Sequence, residues 1–152
     1  YNLSLGFRAG DSPDQVNLQL FTHTLRPAAS TSAAPTPVAQ GPFDCLLDRE
    51  RFKDRWAHLV VSFDSRRLRL YLDGEEVADH ALPIPGPASE IGGLVIGGHR
   101  EGRGRNYDGL LDEIAVWQRV LSAAEITRLH HGGKPTSMPL KLIPADADRG
   151  IE

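Results

Sequence analysis

The chain has 152 residues, 17 basic and 20 acidic, and a formal net charge of −3 at pH 7. This length suffices for one domain with a sizeable hydrophobic core. The charge balance provides no positive field, which argues against nucleic-acid partners and against recruitment to an anionic membrane. Because no apolar run approaches the roughly 20 residues that a spanning helix requires, membrane insertion is not expected.

Cys45 is the single cysteine, so no disulfide bond can form within the chain. Its neighbours Phe43, Leu46 and Leu47 are apolar, which predicts a small buried residue rather than a nucleophile. The chain begins at Tyr1, within an alternating pattern. We therefore expect it to be a piece of a longer protein.

The first third of the chain predicts a hairpin followed by a loop. Residues 3–7 alternate apolar with polar side chains, residues 9–14 are rich in turn formers, and alternation resumes over 16–22. Residues 27–42 are small, uncharged and proline-rich, which predicts a long flexible loop. Residues 43–54 fit either a strand or a short helix.

The middle of the chain carries the clearest β pattern. Residues 59–63 and 67–72 alternate, with Leu68, Leu70 and Leu72 sharing one face. The Asp73-Gly74 pair between residue 72 and the next strand favours a type I′ hairpin turn. The sequence therefore predicts an antiparallel meander that continues beyond residue 75.

Further along, the sequence predicts connections and two more strands. Residues 81–89 contain three prolines, which predicts an edge or a connecting loop. Leu94–Ile96, between two glycine pairs, predicts a short buried strand. Residues 99–108 are rich in glycine and arginine, which predicts a loop, and Leu110–Trp117 is the last predicted strand.

A single helix is predicted near the C-terminus, over residues 123–130 and ending at a glycine pair. Ser122 and Glu125 have the spacing of a capping box, and Leu121 can pack on Ile126 as a hydrophobic staple. From residue 134 onward, prolines and scattered charges predict a linker or tail over 134–152. Many short strands with one helical segment predict an all-β, two-sheet antiparallel sandwich.

Four segments fall in an order that resembles laminin-G-like domains of the concanavalin A-like lectin/glucanase superfamily, which has a jelly-roll fold. They are Trp56–Asp64, Leu70–Gly74, Ile96–Gly98 and Tyr107–Ile126. The resemblance covers residues 56–130. It implies an all-β jelly-roll sandwich with one short C-terminal helix, in a domain over 1–133 whose first strands lie upstream of Tyr1 or are absent.

The resemblance also implies a role. Such domains are usually extracellular or on the cell surface, lie beside other domains of one parent chain, and bind glycans or extracellular proteins. Members often hold a structural calcium ion near an acidic residue that corresponds to Asp112. Asp112 and Glu113 are adjacent on the predicted strand and point to opposite faces, so Asp112 alone is the candidate ligand. The alternative is that Asp112 caps a local turn or pairs with an arginine.

The loop before the last predicted strand is the candidate ligand-binding region. It contains Arg100, Arg103 and Arg105, followed by Tyr107. Guanidinium groups suit carboxylate, sulfate or phosphate, and the tyrosine ring can stack on a sugar. The pattern predicts a site for an acidic glycan. A solvated loop whose arginines pair with nearby acids is the alternative.

Catalysis is not expected in this chain. A glycoside hydrolase needs two carboxylates that face one sugar. Asp48 and Glu50 have a suitable spacing but lie in the ambiguous segment, and a turn separates Asp108 from Asp112. We therefore predict a non-catalytic binding module, with a purely structural spacer as the first alternative and an accessory domain of a glycoside hydrolase as the second. A catalytic domain elsewhere in the parent protein is compatible with this prediction.

Overall fold

A computed structural model describes residues 4–10, 12–26, 36–84, 96–98 and 107–132. The predicted tail over 134–152 lies outside these residues. The secondary-structure elements are β1 (Ser4–Ala9), β2 (Gln15–Arg26), β3 (Thr36–Asp48), a short 3-10 helix (Arg49–Arg51), β4 (Leu59–Phe63), β5 (Arg67–Leu72), β6 (Glu75–Ala81) and α1 (Ala123–His130). Within the described part of the chain, no helix is long and apolar enough to cross a membrane.

The strands form two antiparallel sheets of three strands each, in the orders β1-β2-β3 and β4-β5-β6. This arrangement is consistent with a jelly-roll sandwich and confirms the predicted all-β class. The predicted first hairpin is β1 with β2. The predicted meander is β4, β5 and β6, in which Asp73 and Gly74 both have positive φ angles, 54° and 85°, as the type I′ turn requires.

The core lies between the two sheets. One buried cluster joins residues of the first sheet with residues of the second sheet and of the segment after it: Leu18, Leu20, Cys45, Leu68, Leu70 and Leu82. The Cys45 thiol donates a hydrogen bond to the Val77 carbonyl oxygen at 3.6 Å, and burial raises its pKa. This cysteine is therefore a small core residue, as its sequence context predicts.

Strand β3 corrects part of the predicted loop over 27–42, because residues 36–42 belong to this strand. Residues 27–35 of the predicted loop lie outside the described ones. Residues 36–40 pair with the far end of β2, from Arg26 with Thr36 to Thr22 with Gln40. β3 is an edge strand, where proline is tolerated because one side of the backbone needs no partner. Residues 43–54, which the sequence left ambiguous, continue β3 to Asp48 and then form the 3-10 helix.

A buried glutamine joins the first sheet to the segment that follows β6. The Gln40 side chain donates to the Ile84 carbonyl oxygen at 2.8 Å and accepts from the Ile84 amide at 3.0 Å. It thereby satisfies both backbone groups of one residue, as a neighbouring strand would. This paired contact helps to fix the position of the segment in which the sequence predicts an edge or a loop.

The helix confirms the predicted bounds and cap. The Ser122 hydroxyl accepts from the Glu125 amide, and the Glu125 carboxylate accepts from the Ser122 amide at 3.0 Å. Leu121 and Ile126 are buried together with Tyr71 of β5. Since Tyr71 points away from the inter-sheet leucines, α1 covers the outer face of the second sheet.

Two of the predicted strands are corrected. Residues 110–117 are described and form no strand, and Leu110 is 76% exposed. Glu113 has a φ of 50°, which interrupts the extended backbone that an alternating pattern alone would predict. Ile96 is exposed and lies outside any strand, so it is not buried as predicted for Leu94–Ile96. The first two residues of that segment lie outside the described ones.

The capping box predicts a measurable loss on truncation. Ser122→Ala removes the acceptor for the Glu125 amide, and we expect the free energy of unfolding to fall by about 1 kcal/mol. Urea denaturation measures the change. Ser122→Asn, which retains a capping side chain, serves as the control and should lie close to the wild type. Equal stabilities for the alanine and wild-type proteins would contradict a stabilising role for this cap.

His58 predicts a loss of stability at mildly acidic pH. Its burial lowers its pKa below 6.5, and neighbouring His130 lowers it further, against the opposing effects of Asp73 and Glu113. Above pH 6.5 the ring is neutral in both the folded and unfolded chain, so it adds no pH dependence. Below that value the unfolded chain takes up the proton more readily, and stability falls as the pH decreases.

The measurement is the urea midpoint followed from neutral pH down to about pH 5, above the range in which carboxylates protonate. We expect the decline to be shallower for His58→Gln than for the wild type. His23→Gln is the matched control, because it removes a histidine from a different sheet. Identical slopes for wild type and His58→Gln would show that this ring does not resist protonation.

Candidate functional site

The predicted ligand-binding residues are only partly described. Arg100, Arg103 and Arg105 lie outside the described residues, so their placement in a common site stays a prediction. Tyr107 and Asp112 are described. Their surroundings differ, because Tyr107 lies against other aromatic rings and Asp112 lies in a local turn.

The Tyr107 ring belongs to a group of three aromatic side chains beside strand β1. Its centroid is 5.6 Å from that of Phe7, and Phe7 makes an edge-to-face contact with Phe52 at 6.2 Å. We call Phe7, Phe52 and Tyr107 the aromatic patch. Phe7 is 44% exposed and Tyr107 is 41% exposed, so two rings offer apolar surface to a ligand.

Backbone contacts also determine where the Tyr107 ring lies. The Tyr107 amide donates to the Gly97 carbonyl oxygen at 2.8 Å, which links the described end of the arginine-containing loop to Gly97. A Cβ atom on Gly109 would lie 2.7 Å from the tyrosine ring. Only glycine permits that approach, and the ring therefore packs directly on the backbone of residue 109.

Asp112 lies in a local turn, and the calcium site expected there stays a prediction. Its Oδ1 accepts a hydrogen bond from the Glu113 amide at 2.8 Å, which is the turn-capping role weighed as the alternative. Among the described residues, no three histidine, cysteine or acidic side chains are placed to hold a metal ion. Calcium takes about six to eight oxygen ligands, so a calcium site at Asp112 would need further oxygen ligands beside this carboxylate.

The carboxylate pairs considered for glycoside hydrolysis do not share a strand face. Asp48 ends β3 and Glu50 lies in the 3-10 helix that follows. Asp108 and Asp112 lie in a stretch without strand structure. Neither pair therefore has the regular two-residue alternation that would direct both carboxylates to one sugar.

A polar depression on the outer face of the first sheet was not predicted from the sequence. It measures about 300 Å³ and is lined by Arg8, Ala9, Asn17, Gln19, Asp44 and Leu46. Strand pairing brings these residues together, because Arg8 is opposite Asn17, Asn17 is opposite Leu46, and Gln19 is opposite Asp44. We call this set the polar depression.

Asp44 is the most constrained side chain of the polar depression. Its Oδ1 accepts hydrogen bonds from Gln19 Nε2 at 2.7 Å and from Asn17 Nδ2 at 2.8 Å. These two donors, Gln19 first, lower the pKa of Asp44, and Arg8 lowers it further. Asp44 is therefore an ionised acceptor at neutral pH, and its orientation is fixed by two neighbouring amides.

One acceptor atom of the polar depression remains available, on the exposed side chain of Asp44. Asp44 Oδ2 accepts no hydrogen bond from the described residues. Asn17 Oδ1 is buried and likewise has no partner among them. A buried acceptor without a partner costs about 1–3 kcal/mol, and this atom does not face an incoming ligand because it is shielded from solvent.

Asn17 and Gln19 are two positions apart, so strand alternation places both side chains on one face of β2. This spacing is the sequence signal for the polar surface. The apolar half of the same alternation predicts strand β2, and its polar half defines the outward face. Asp44 cannot be placed on the same face from the sequence alone, because residues 43–54 fit either a strand or a short helix. The register of β3 against β2 is needed to place it.

The outer face of the second sheet is also charged, but its charges are paired with one another. Arg67 Nε lies 2.7 Å from Asp79, and Arg69 lies 2.9 Å from Asp64 and 3.5 Å from Asp79. The Tyr71 hydroxyl donates to Glu76. This surface is a salt-bridge network in which each guanidinium has a carboxylate partner, unlike the polar depression.

His58 and His130 lie beside Asp73, where α1 meets the β5–β6 turn. Asp73 accepts from the His58 amide at 2.9 Å and from Arg55 at 2.7 Å, and His130 Nδ1 lies 3.9 Å away. The Thr127 hydroxyl donates to the Gly74 carbonyl oxygen. These contacts dock α1 on the hairpin, which gives the cluster a structural role.

Comparisons with known proteins give a family match and similar proteins. A family model for laminin-G-type domains of the concanavalin A-like lectin/glucanases superfamily matches residues 10–127. Mouse Pappalysin-1 is 26% identical over 105 residues, which span 66% of this chain and 6% of the mouse protein. A crystal structure of an S-layer domain-containing protein from Clostridium thermocellum is 18% identical, with a TM-score of 0.39, over 76% of this chain and 51% of the other.

This chain thus corresponds to a small part of the mouse protein. The family match covers well over half of the chain, and it includes the meander and residues 123–127 of the helix. The chain belongs to the laminin-G-type domains of the concanavalin A-like lectin/glucanases superfamily.

Proposed function

We propose that the chain is a non-catalytic binding module of a larger secreted or surface protein, and that it recognises a carbohydrate or a protein partner. The aromatic patch is the observation that carries this proposal. Family membership supports it, because lectins are part of the superfamily to which the chain belongs. The extracellular setting rests on the family resemblance.

The aromatic patch has the properties of a ligand platform. Phe7 and Tyr107 expose ring surface while they support each other, so little side-chain freedom remains to be lost when a ligand binds. A tyrosine ring offers an apolar face and a hydroxyl group together, which suits both sugar rings and protein side chains. Arg103 and Arg105 precede Tyr107 closely in the sequence and would add affinity for acidic groups.

The non-catalytic part of the proposal rests on the carboxylates. The pairs that the sequence offered do not lie on one strand face. Asp44, the carboxylate of the polar depression, accepts two hydrogen bonds that keep it ionised. An ionised, clamped carboxylate serves as an acceptor, whereas a general acid needs a raised pKa.

Binding to a glycan array tests the proposal directly. We expect the wild-type chain to bind arrayed glycans that carry carboxylate or sulfate groups. Tyr107→Ala should reduce the affinity for these glycans by roughly tenfold, the equivalent of about 1.4 kcal/mol. Tyr107→Phe is the matched control, because it keeps the ring and should keep most of the affinity. Thermal melting of each variant verifies the fold.

Two outcomes of the array experiment would change the assignment. No retention of any neutral or acidic glycan, together with no capture of an extracellular protein partner, would favour a structural spacer. Hydrolysis of a retained glycan would favour an enzyme.

The calcium ion expected from the resemblance stays a prediction. If calcium binds at Asp112, it should raise the midpoint of thermal unfolding by mass action, and EDTA should reverse the rise. Asp112→Asn should abolish the effect, while Asp108→Asn serves as a nearby control. An unchanged midpoint of thermal unfolding in the wild type would contradict calcium binding by this domain.

A further inference from the structure

The polar depression is separate from the aromatic patch, although both lie on the first sheet. Phe7 and Arg8 are consecutive residues of β1, so their side chains point to opposite faces of the strand. Phe7 belongs to the aromatic patch and Arg8 lines the polar depression. A ligand in the depression therefore meets a different set of side chains from those already assigned to binding.

The side chains of the depression are arranged to receive hydroxyl groups. Gln19 and Asn17 hold one oxygen of Asp44 at 2.7 and 2.8 Å and leave the other open. An open carboxylate oxygen accepts an O–H group strongly, because the acceptor is charged. Arg8 lines the same depression and can donate to the oxygen of a neighbouring hydroxyl group.

The charges of the depression favour a neutral ligand over an anionic or cationic one. Its two charged residues, Arg8 and Asp44, have opposite signs, so the site has no net charge to attract either an anion or a cation. A carboxylate or sulfate on the ligand would meet Asp44, and an ammonium group would meet Arg8. Neutral groups that donate and accept hydrogen bonds match both residues at once.

An apolar surface completes the site. Leu46 lies in the depression and is 49% exposed. The C–H face of a sugar ring is apolar while its edge carries hydroxyl groups, so a pyranose can place that face on Leu46 and its edge toward Asp44.

We propose that the polar depression is a second binding site, which takes a neutral pyranose residue of a glycan. Asp44 accepts one hydroxyl group of the sugar, Arg8 donates to the adjacent hydroxyl group, and Leu46 contacts the ring. Asn17 and Gln19 are positioning residues, because they orient Asp44. This site does not depend on the arginine-containing loop or on Tyr107.

Calorimetric titration with neutral oligosaccharides of gluco, manno and galacto configuration tests the site. We expect one of these series to bind the wild-type chain, Asp44→Asn to weaken that binding at least roughly tenfold, and Arg8→Ala to weaken it as well. Asp79→Asn is the matched control, since it removes a carboxylate from the outer face of the other sheet. Tyr107→Ala should leave the neutral sugar bound with wild-type affinity.

Each result separates this proposal from the proposed function. Retention of acidic glycans that requires Tyr107, with no binding of any neutral series, would overturn the second site and leave the aromatic patch supported. Neutral binding that is lost in Asp44→Asn and retained in Tyr107→Ala would support the second site even if the aromatic patch binds nothing. Neutral binding that persists in both Asp44→Asn and Arg8→Ala would also overturn the proposal. The Arg8 side chain is exposed, so its removal provides a test that does not depend on the folding of the Asp44 variant.

The pH dependence of neutral-sugar binding gives a readout of the positioning residues. The amides of Gln19 and Asn17 keep the pKa of Asp44 below 3.8, so binding to the wild type should persist as the pH approaches that value. Gln19→Ala removes the larger of these effects. We expect its binding to be lost at a higher pH than in the wild type, and equal pH profiles would show that Gln19 does not orient the carboxylate.

Discussion

The alternation of strand side chains between two faces is the constraint on which this structure depends. Leu18 and Leu20 of β2 and Leu68 and Leu70 of β5 are fully buried in one cluster. Burial of this kind stabilises the sandwich by about 1.5–3 kcal/mol for each large apolar side chain. Since successive residues point to opposite faces, every residue placed in the core also fixes which of its neighbours faces outward.

The outward residues of the two sheets are used differently. On the second sheet, Tyr71 is covered by the helix, and the remaining charges form salt bridges with one another. On the first sheet, Asn17 and Gln19 face outward and hold Asp44, and no described element covers them. The helix therefore covers the outer face of the second sheet, whereas none of the described elements covers the polar depression on the first.

The helix itself is secured by polar contacts as well as by packing. Glu125 caps the first turn and also receives two hydrogen bonds from Arg119, at 2.6 and 2.9 Å. Hydrogen bonds from Arg119, and then from the Ser122 amide, keep the pKa of Glu125 far below its usual range. The carboxylate thus stays charged at any ordinary pH, and it joins the segment before the helix to its first turn.

Locally encoded elements were predictable from the sequence, and elements defined by a distant partner were not. The meander over 59–81 and the helix over 123–130 have their turn and cap signals within a few residues, and both were confirmed. Residues 36–42 look like a loop because of their prolines, yet pairing with the far end of β2 makes them a strand. The opposite error occurred over 110–117, where alternation predicted a strand and the positive φ of Glu113 interrupts it.

The same distinction applies to the binding surfaces. Tyr107 was identifiable from the composition of its loop, but its contact with Phe7 joins residues that are 100 positions apart in the sequence. Asp44 needed the register between β2 and β3, which a shift between Leu20 and Thr22 modifies. Long-range register is not encoded in any short window, so sequence patterns identify the faces of strands better than they identify the sites that those faces form.

The position of Phe7 and Arg8 on one edge strand has a consequence for how this domain engages ligands. β1 is only six residues long, yet it contributes to the aromatic patch with one side chain and to the polar depression with the next. The two side chains lie on opposite faces of β1, so substitution at either position changes one surface and leaves the other in place, although Phe7 is opposite the buried Leu18 on the inner face. The fold therefore permits the two surfaces to evolve independently, so membership of the family fixes the sandwich while the ligand is set by residues that the sandwich leaves free to vary.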